Sequence, residues 1–462
     1  MLFNSFAFLF AFLPITFAVF WTLRSAAARY VWLTVTGYAF YAYWDPRFCL
    51  LMAFTTLVSW TAGLGFLRFP DRFRRRLCLV VPVTVDLLVL GFFKYADFGL
   101  STVSLVAGWL GGSVSVTPLG LVLPVGLSFY TFHTITYIVD SWRGVVTPTR
   151  NLFEYASYVS LFSQLVAGPI IRFREVQRDL ATIGQAPRAR WLRRGVSFFI
   201  VGLVEKVLVA DSLAAFVDPA LSRHEALSSA GAWLAMTGYS FQLYFDFSGY
   251  STMAVGLGLL FGIRIPRNFN SPYQALSPSD FWRRWHISLS RCLRDYLYIP
   301  LGGNRRGPAR TVVNLMTTML LGGLWHGAAW TFVAWGAWHG ILLVAHRRFG
   351  RAWDRLPRLV RQGLMFLLVT LGWVFFRADG FPMAFHLLGV MLAPAAGALV
   401  PGAALAVPAL LAAGAWAMAG PNPFQLRHRW GPAGWLLLAA ALGACLAVIG
   451  GGRTSPFLYF QF

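Results

Sequence analysis

Long apolar runs follow one another along this chain from Phe6 almost to its end, and the short stretches between them are rich in arginine. A helix that crosses a bilayer needs roughly 20 mainly apolar residues, because the hydrocarbon is about 30 Å thick and each residue rises about 1.5 Å. With 57% of its 462 residues hydrophobic and 12% charged, the chain reads as an all-α polytopic membrane protein. Its length leaves room for roughly 10 to 12 spans.

The formal charge of +22 would suggest a nucleic-acid partner in a soluble protein. Here the arginines lie in residues 68–76, 172–194, 264–310 and 347–361, between apolar runs. That is the positive-inside pattern of cytoplasmic loops in a bacterial inner membrane, and it excludes nucleic-acid binding. Lysine occurs only at Lys94 and Lys206. The four cysteines, Cys49, Cys78, Cys292 and Cys445, show neither disulfide nor metal spacing and read as apolar filler. No metal and no bound cofactor are expected. The first run, residues 2–23, has no basic residue before it and Arg24 and Arg29 after it, the reverse of a cleavable signal. It should stay as a helix with its N-terminus on the periplasmic side, and the count of spans puts the C-terminus there too.

Charge-marked loops place spans near residues 4–23, 30–44, 48–67, 77–95 and 119–139. Residues 100–117, apolar but rich in Gly and Ser, read as a separate interfacial piece. Residues 153–171 are apolar, have basic loops at both ends and contain Gly168-Pro169. A re-entrant or broken helix resolves that conflict, and such backbone is tolerated only against protein or a water-filled cavity. Spans near 195–217 and 231–262 precede the polar stretch 264–310, which should pack at the cytoplasmic mouth. Residues 311–345 begin and end at basic loops, so the chain must turn back at Trp325-His326-Gly327, where Gly327 frees the backbone. As a helix, residues 311–324 rise only about 21 Å, which puts His326 below the membrane surface. Spans near 362–376, within 383–419 and at 433–450 complete one membrane domain. Within it, residues 1–150 are N-terminal helices, 151–350 the core and 351–462 C-terminal helices.

Eight histidines are present. His224, His346 and His428 sit beside polar residues and read as solvated. His133 and His386, alone in apolar runs, read as hydrogen-bonded packing. His326, in Leu324-Trp325-His326-Gly327-Ala328, and His286, in Trp282-Arg283-Arg284-Trp285-His286-Ile287-Ser288, are different. Each lies among aromatic and small or polar residues at an inferred break in the spans. An ionisable group in a membrane protein is a functional hypothesis by default, and neutral imidazole is suited to take a proton from a hydroxyl. A second Trp338-His339-Gly340 lies 13 residues beyond His326, about 20 Å along a straight helix, too far to share its centre. Asp246 interrupts an apolar run and needs a partner, for which an arginine of residues 264–310 is expected. Asn270, before Ser271-Pro272, suits a turn.

With these residues in view, the chain resembles the membrane-bound O-acyltransferase family, in its bacterial alginate O-acetylase-like branch. The resemblance rests on an ordered set of motifs. They include Leu123-Pro124-Val125-Gly126, Gln164-Leu165-Val166-Ala167-Gly168-Pro169, Tyr244-Phe245-Asp246-Phe247-Ser248-Gly249-Tyr250 and Asn268-Phe269-Asn270-Ser271-Pro272-Tyr273. Residues 281–290, residues 323–327 and the terminal Ser455-Pro456-Phe457-Leu458-Tyr459-Phe460 complete the set. The resemblance implies a fold of transmembrane, re-entrant and interfacial helices around a central tunnel, with His326 as general base and His286 as its companion. Trp325, Trp285, Asp246, Asn270, Ser290 and Arg294 are the expected substrate contacts, Arg294 through donor phosphates.

The absence of a nucleophile elbow or a phosphate-binding loop suits a base-only transfer between two aligned substrates. The expected reaction moves acetyl from a cytoplasmic donor, acetyl-CoA, toward an exported polysaccharide such as alginate. A separate periplasmic acetyl-transfer protein is the expected partner. The rivals are D-alanyl transfer from a carrier protein to teichoic acid, a proton-coupled transporter or flippase, and an inactive scaffold for an export complex.

Overall fold

The computed structural model describes residues 1–112, 116–186, 188–452 and 455–458. Tyr459 and Phe460 of the terminal motif lie outside the described residues, as do three positions of the 100–117 piece. Among the described residues the regular structure is helical, and one isolated β-bridge joins Leu227 to Ala398. The chain divides into two compact units, Met1–Leu192 with Leu257–Pro266, and Arg193–Gly256 with Arg267–Phe462.

The first unit holds α1 (Leu13–Thr22), α2 (Ala26–Ala42), α3 (Arg47–Arg68), α4 (Arg72–Leu90), α5 (Ala96–Trp109), α6 (Leu127–Trp142), α7 (Leu152–Val159) and α8 (Phe173–Ala181). Ser25, Asp71 and Asn151 start α2, α4 and α7 by accepting a backbone N–H on their side chains, which satisfies an otherwise orphaned donor. The expected boundary near residue 95 is absent. A π-helical turn, Gly91–Tyr95, carries α4 into α5, making one apolar helix, Arg72–Trp109, of 38 residues. The Gly and Ser residues of α5 do not break it, and the Ser101 hydroxyl folds back on its own helix to donate to the Phe98 carbonyl at 3.0 Å.

The expected broken helix is present. Helix α7 stops at Val159, residues 160–172 are not helical, and every residue from 155 to 173 is buried. Protein groups take up the irregular backbone: Gln164 donates to the Tyr158 carbonyl at 2.9 Å, and the Tyr158 hydroxyl to the Ile171 carbonyl at 2.8 Å.

The second unit contains most of α9 (Ala189–Leu203), α10 (Asp211–Ser222) and most of α11 (Ser229–Leu260). The short α12 (Pro278–Arg284) and α13 (Ile287–Leu293) follow. Then come α14 (Gly307–His326), α15 (Trp330–Trp353), α16 (Arg358–Arg377), α17 (Phe381–Leu392), α18 (Ala403–Ala419) and α19 (Pro432–Gly450). A second π-helical turn, Val204–Ala210, joins α9 to α10. Helices α9 and α11 touch backbone to backbone, because a Cβ on Gly202 would come within 2.6 Å of the Gly249 carbonyl oxygen, and one on Gly256 within 2.6 Å of that of Gly195.

Helices α14 and α15 form the expected hairpin, with Gly327 and Ala329 extended between them. A side chain on Gly323 would collide with the Phe332 carbonyl, and one on Gly336 with the Met319 carbonyl. Helix α14 starts at Gly307-Pro308, earlier than the sequence suggested, and its 20 residues rise about 30 Å. The short-helix argument for the depth of His326 therefore fails; the residue is buried within the protein, at 5% exposure. Among the described residues four helices are long and apolar enough to cross a membrane: Arg47–Arg68, Arg72–Trp109, Arg358–Arg377 and Pro432–Gly450. Three shorter apolar helices, Ala7–Thr22, Phe381–Leu392 and Ala403–Ala419, accompany them. The chain is a multi-pass membrane protein.

Candidate active site

Helix α14 ends on His326, whose imidazole therefore stands at the end of a helix where carbonyls point outward and favour positive charge. Around it is a wall of rings. Trp325 lies 4.9 Å away between centroids, Trp335 at 5.0 Å and Phe376 at 5.3 Å, all three edge to face. Gly327 is required here for space: its φ of −153° suits any residue, but a Cβ would enter the ring of Phe332.

His286 faces this centre from between α12 and α13. Its ring centroid is 6.2 Å from that of His326 and 6.0 Å from that of Trp325, so the two histidines expected to cooperate are brought together. The fully buried His286 ring meets Phe247 edge to face at 4.8 Å. Its backbone is left-handed, with φ of 42°, a conformation costing a non-glycine residue about 1–2 kcal/mol.

Asn268 fixes how His286 is protonated. The Asn268 amide nitrogen donates to Ser251 Oγ at 3.2 Å, so its Oδ1 is the side facing His286. That oxygen also accepts from the Ser288 N–H at 3.2 Å and the Ser288 hydroxyl at 2.9 Å. An amide oxygen only accepts, so the 3.1 Å contact with His286 Nδ1 requires the proton on Nδ1. In the neutral ring Nε2 is then the basic nitrogen. The Asn268 carbonyl accepts from the Ile287 N–H at 2.8 Å, holding the same turn through its backbone.

A model of the membrane-bound O-acyltransferase family matches residues 146–375, a span that includes both histidines and Asn268. Over 394 residues the chain is 43% identical to a Pseudomonas aeruginosa protein named "Probable alginate O-acetylase AlgI", covering 85% of this chain and 75% of that one. It is 37% identical over 425 residues to a Helicobacter pylori peptidoglycan O-acetyltransferase, covering 85% and 80% of the two chains. A Bacillus subtilis teichoic acid D-alanyltransferase is 27% identical over 287 residues, 58% of this chain and 72% of that one. The chain belongs to the membrane-bound O-acyltransferase family.

As a membrane-bound O-acyltransferase it is an enzyme, and the structure gives each of the other expected contacts its partners. Trp325 touches both histidines. Trp285 is one shell out, stacked on Phe281 at 5.6 Å and 4.9 Å from Trp373, whose ring lies 5.8 Å from that of Trp335. Ser290 donates to the Trp285 carbonyl at 3.2 Å. Asn270 accepts from Asn422 at 3.2 Å beside the left-handed Ser271, consistent with a turn residue. Arg294 is exposed and bonds Asp295 at 2.7 Å. Asp246 pairs with Lys206 at 2.7 Å, where an arginine from residues 264–310 was expected.

His339 is nearer the centre than its sequence separation suggested. The chain reverses at Gly327–Ala329, so the ring of Trp335 bridges the two, 5.0 Å from His326 and 4.9 Å from His339. The straight-helix estimate of about 20 Å failed because the helix does not run straight. His133, expected to be hydrogen-bonded, has neither ring nitrogen bonded among the described residues and rests on Tyr158 at 5.4 Å. His428, expected to be solvated, is 4% exposed and bonds Ser197 and the Pro423 carbonyl, both at 2.7 Å.

Asn268, Trp335, Phe376 and Lys206 were missed as site residues. For Lys206 a signal was present, since Glu205-Lys206 lies within the apolar run 195–217. Asn268 was hidden by its neighbour Asn270, because a sequence does not show which of two asparagines faces inward.

Proposed function

We propose that the enzyme is a membrane O-acetyltransferase that passes acetyl from acetyl-CoA on the cytoplasmic side to a hydroxyl acceptor bound for an exported polysaccharide. The supporting observation is the buried pair, His326 and His286, 6.2 Å apart in an aromatic shell, one ring held in a single tautomer by Asn268. The names of the relatives favour acetyl over D-alanyl, since the O-acetylating proteins match more of the chain at higher identity.

In this reading His326 takes the proton of the attacking hydroxyl as its oxygen bonds to the acyl carbon, and the helix end steadies the resulting imidazolium. The thiolate of coenzyme A leaves and receives that proton. His286 accepts the hydroxyl's hydrogen bond at Nε2 beforehand and orients it, and Trp325 closes the space between the rings. Trp285, Ser290 and Asn270 shape the wall, and Arg294 meets the donor's phosphates at the membrane surface. The enzyme sits in a bacterial inner membrane with both termini in the periplasm, and a separate periplasmic acetyl-transfer protein completes the modification.

Inside-out vesicles given radiolabelled acetyl-CoA test this directly. Label should pass to the acceptor with the native chain and fall at least a thousandfold with His326→Ala, an order set by general-base and alignment losses together. Undiminished acetylation by a well-expressed His326→Ala variant refutes the assignment. Label transfer from D-alanyl carrier protein in place of acetyl-CoA would return the D-alanyl reading.

A further inference from the structure

Away from the histidine pair, the second unit buries an ion cluster that the proposed reaction does not use. Lys206 Nζ, 3% exposed, lies 2.6 Å from Asp211 and 2.7 Å from Asp246. Lys206 and Asp211 are five apart, a spacing an α-helix does not bring into register, and the π-helical turn Val204–Ala210 is what aligns them.

The cluster is completed by the C-terminal segment. Lys206 also donates to the Ser455 carbonyl at 3.1 Å and to its hydroxyl at 3.2 Å, and that hydroxyl donates to Asp211 at 2.5 Å. Asp246 accepts the Leu458 N–H at 2.9 Å. Between these anchors Phe457, 1% exposed, stacks on Tyr250 at 4.7 Å and lies 6.0 Å from Phe247. Phe247 is the ring that meets His286 edge to face. Asp246 and Phe247 are adjacent on α11, so one short stretch holds the segment on one side and His286 on the other.

We propose that Lys206 is a positioning residue for the histidine pair, acting by latching Ser455–Leu458 so that Phe457 braces Phe247 against His286. The ammonium does this better than a neutral group, because its three N–H groups reach Asp211 and two acceptors of the segment while its charge also offsets that of Asp246, and buried charges persist only when so paired. This assignment rests on the acetyl-transfer reading for its kinetic readout but not for its structural one.

The test uses the full-length chain in detergent, a variant lacking residues 455–462, and Lys206→Met with Lys206→Arg beside it. Truncation should lower kcat tenfold or more with KM for acetyl-CoA within twofold. A synthetic peptide of residues 455–462 added in trans should restore much of the rate. The same peptide carrying Ser455→Ala should restore less. Lys206→Met should match the truncation, and Lys206→Arg should recover part of the loss. Hydrogen–deuterium exchange at residues 286–290 should quicken in the truncated chain and slow again with peptide, whether or not acetyl is the transferred group. If Lys206→Met does not fold, truncation and peptide carry the test alone. Unchanged kcat and unchanged exchange on truncation overturn the proposal, as does a loss that the peptide fails to restore while exchange at 286–290 stays native.

Discussion

Replacing Asn268 by alanine tests the claim that His286 works in one protonation state. The substitution removes the acceptor shared by His286 Nδ1, the Ser288 N–H and the Ser288 hydroxyl. The hydroxyl can rotate to another acceptor, which leaves two donors buried without one. At about 1–3 kcal/mol each, the variant should be less stable by about 2–6 kcal/mol. The effect on rate is separate. One neutral hydrogen bond, worth net about 1 kcal/mol, holds the ring aligned with Nε2 basic, so its loss should lower kcat five- to tenfold. KM for acetyl-CoA should change little, because Asn268 meets His286 at Nδ1 and not at the Nε2 assigned to the acceptor hydroxyl. Asn268→Asp keeps an acceptor but adds a carboxylate that draws His286 toward imidazolium, in which Nε2 no longer accepts. That variant should be slow near neutral pH and recover as pH rises. Acetyl transfer by purified protein, with melting followed in parallel, separates the two effects. A folded Asn268→Ala variant with native kcat and an unshifted pH profile would refute the tautomer argument.

Two further outcomes follow from packing and burial. Gly336→Ala places a methyl against the Met319 carbonyl, forcing the α14–α15 hairpin apart; it should lower stability by about 1–3 kcal/mol, seen as an earlier melt in detergent. His428 lies outside the spans, and burial, reinforced by the charge of Arg194, holds its imidazole below the usual 6.5, with the Pro423 carbonyl opposing. The unfolded chain therefore binds its proton first, so this contribution is complete above about pH 6.5 and is lost as pH falls below it. Melting between pH 5 and 8 should show that slope, and His428→Gln should flatten it.

The parts of the fold that follow from one-dimensional patterns were readable in advance. Basic loops at both ends of residues 311–345 demanded a reversal, and the chain reverses just after His326. The same reasoning exposed the break after Val159. Errors arose where the backbone departs from a uniform α-helix. The π turn Gly91–Tyr95 carries α4 into α5 instead of ending it, and the turn Val204–Ala210 gives Asp246 a lysine where an arginine was expected. The histidine pair could be named from the sequence because each ring sits at a break. Asn268, which sets the proton on one of them, shows itself only in three dimensions.

The left-handed backbone of His286 has a practical corollary. A glycine would hold that conformation without the steric cost of about 1–2 kcal/mol, yet it would leave a cavity where a fully buried, hydrogen-bonded ring now sits, and that costs more. The strained backbone is therefore held in place by the packing of its own imidazole, and a screen for heat-tolerant variants of this chain should not select glycine at position 286.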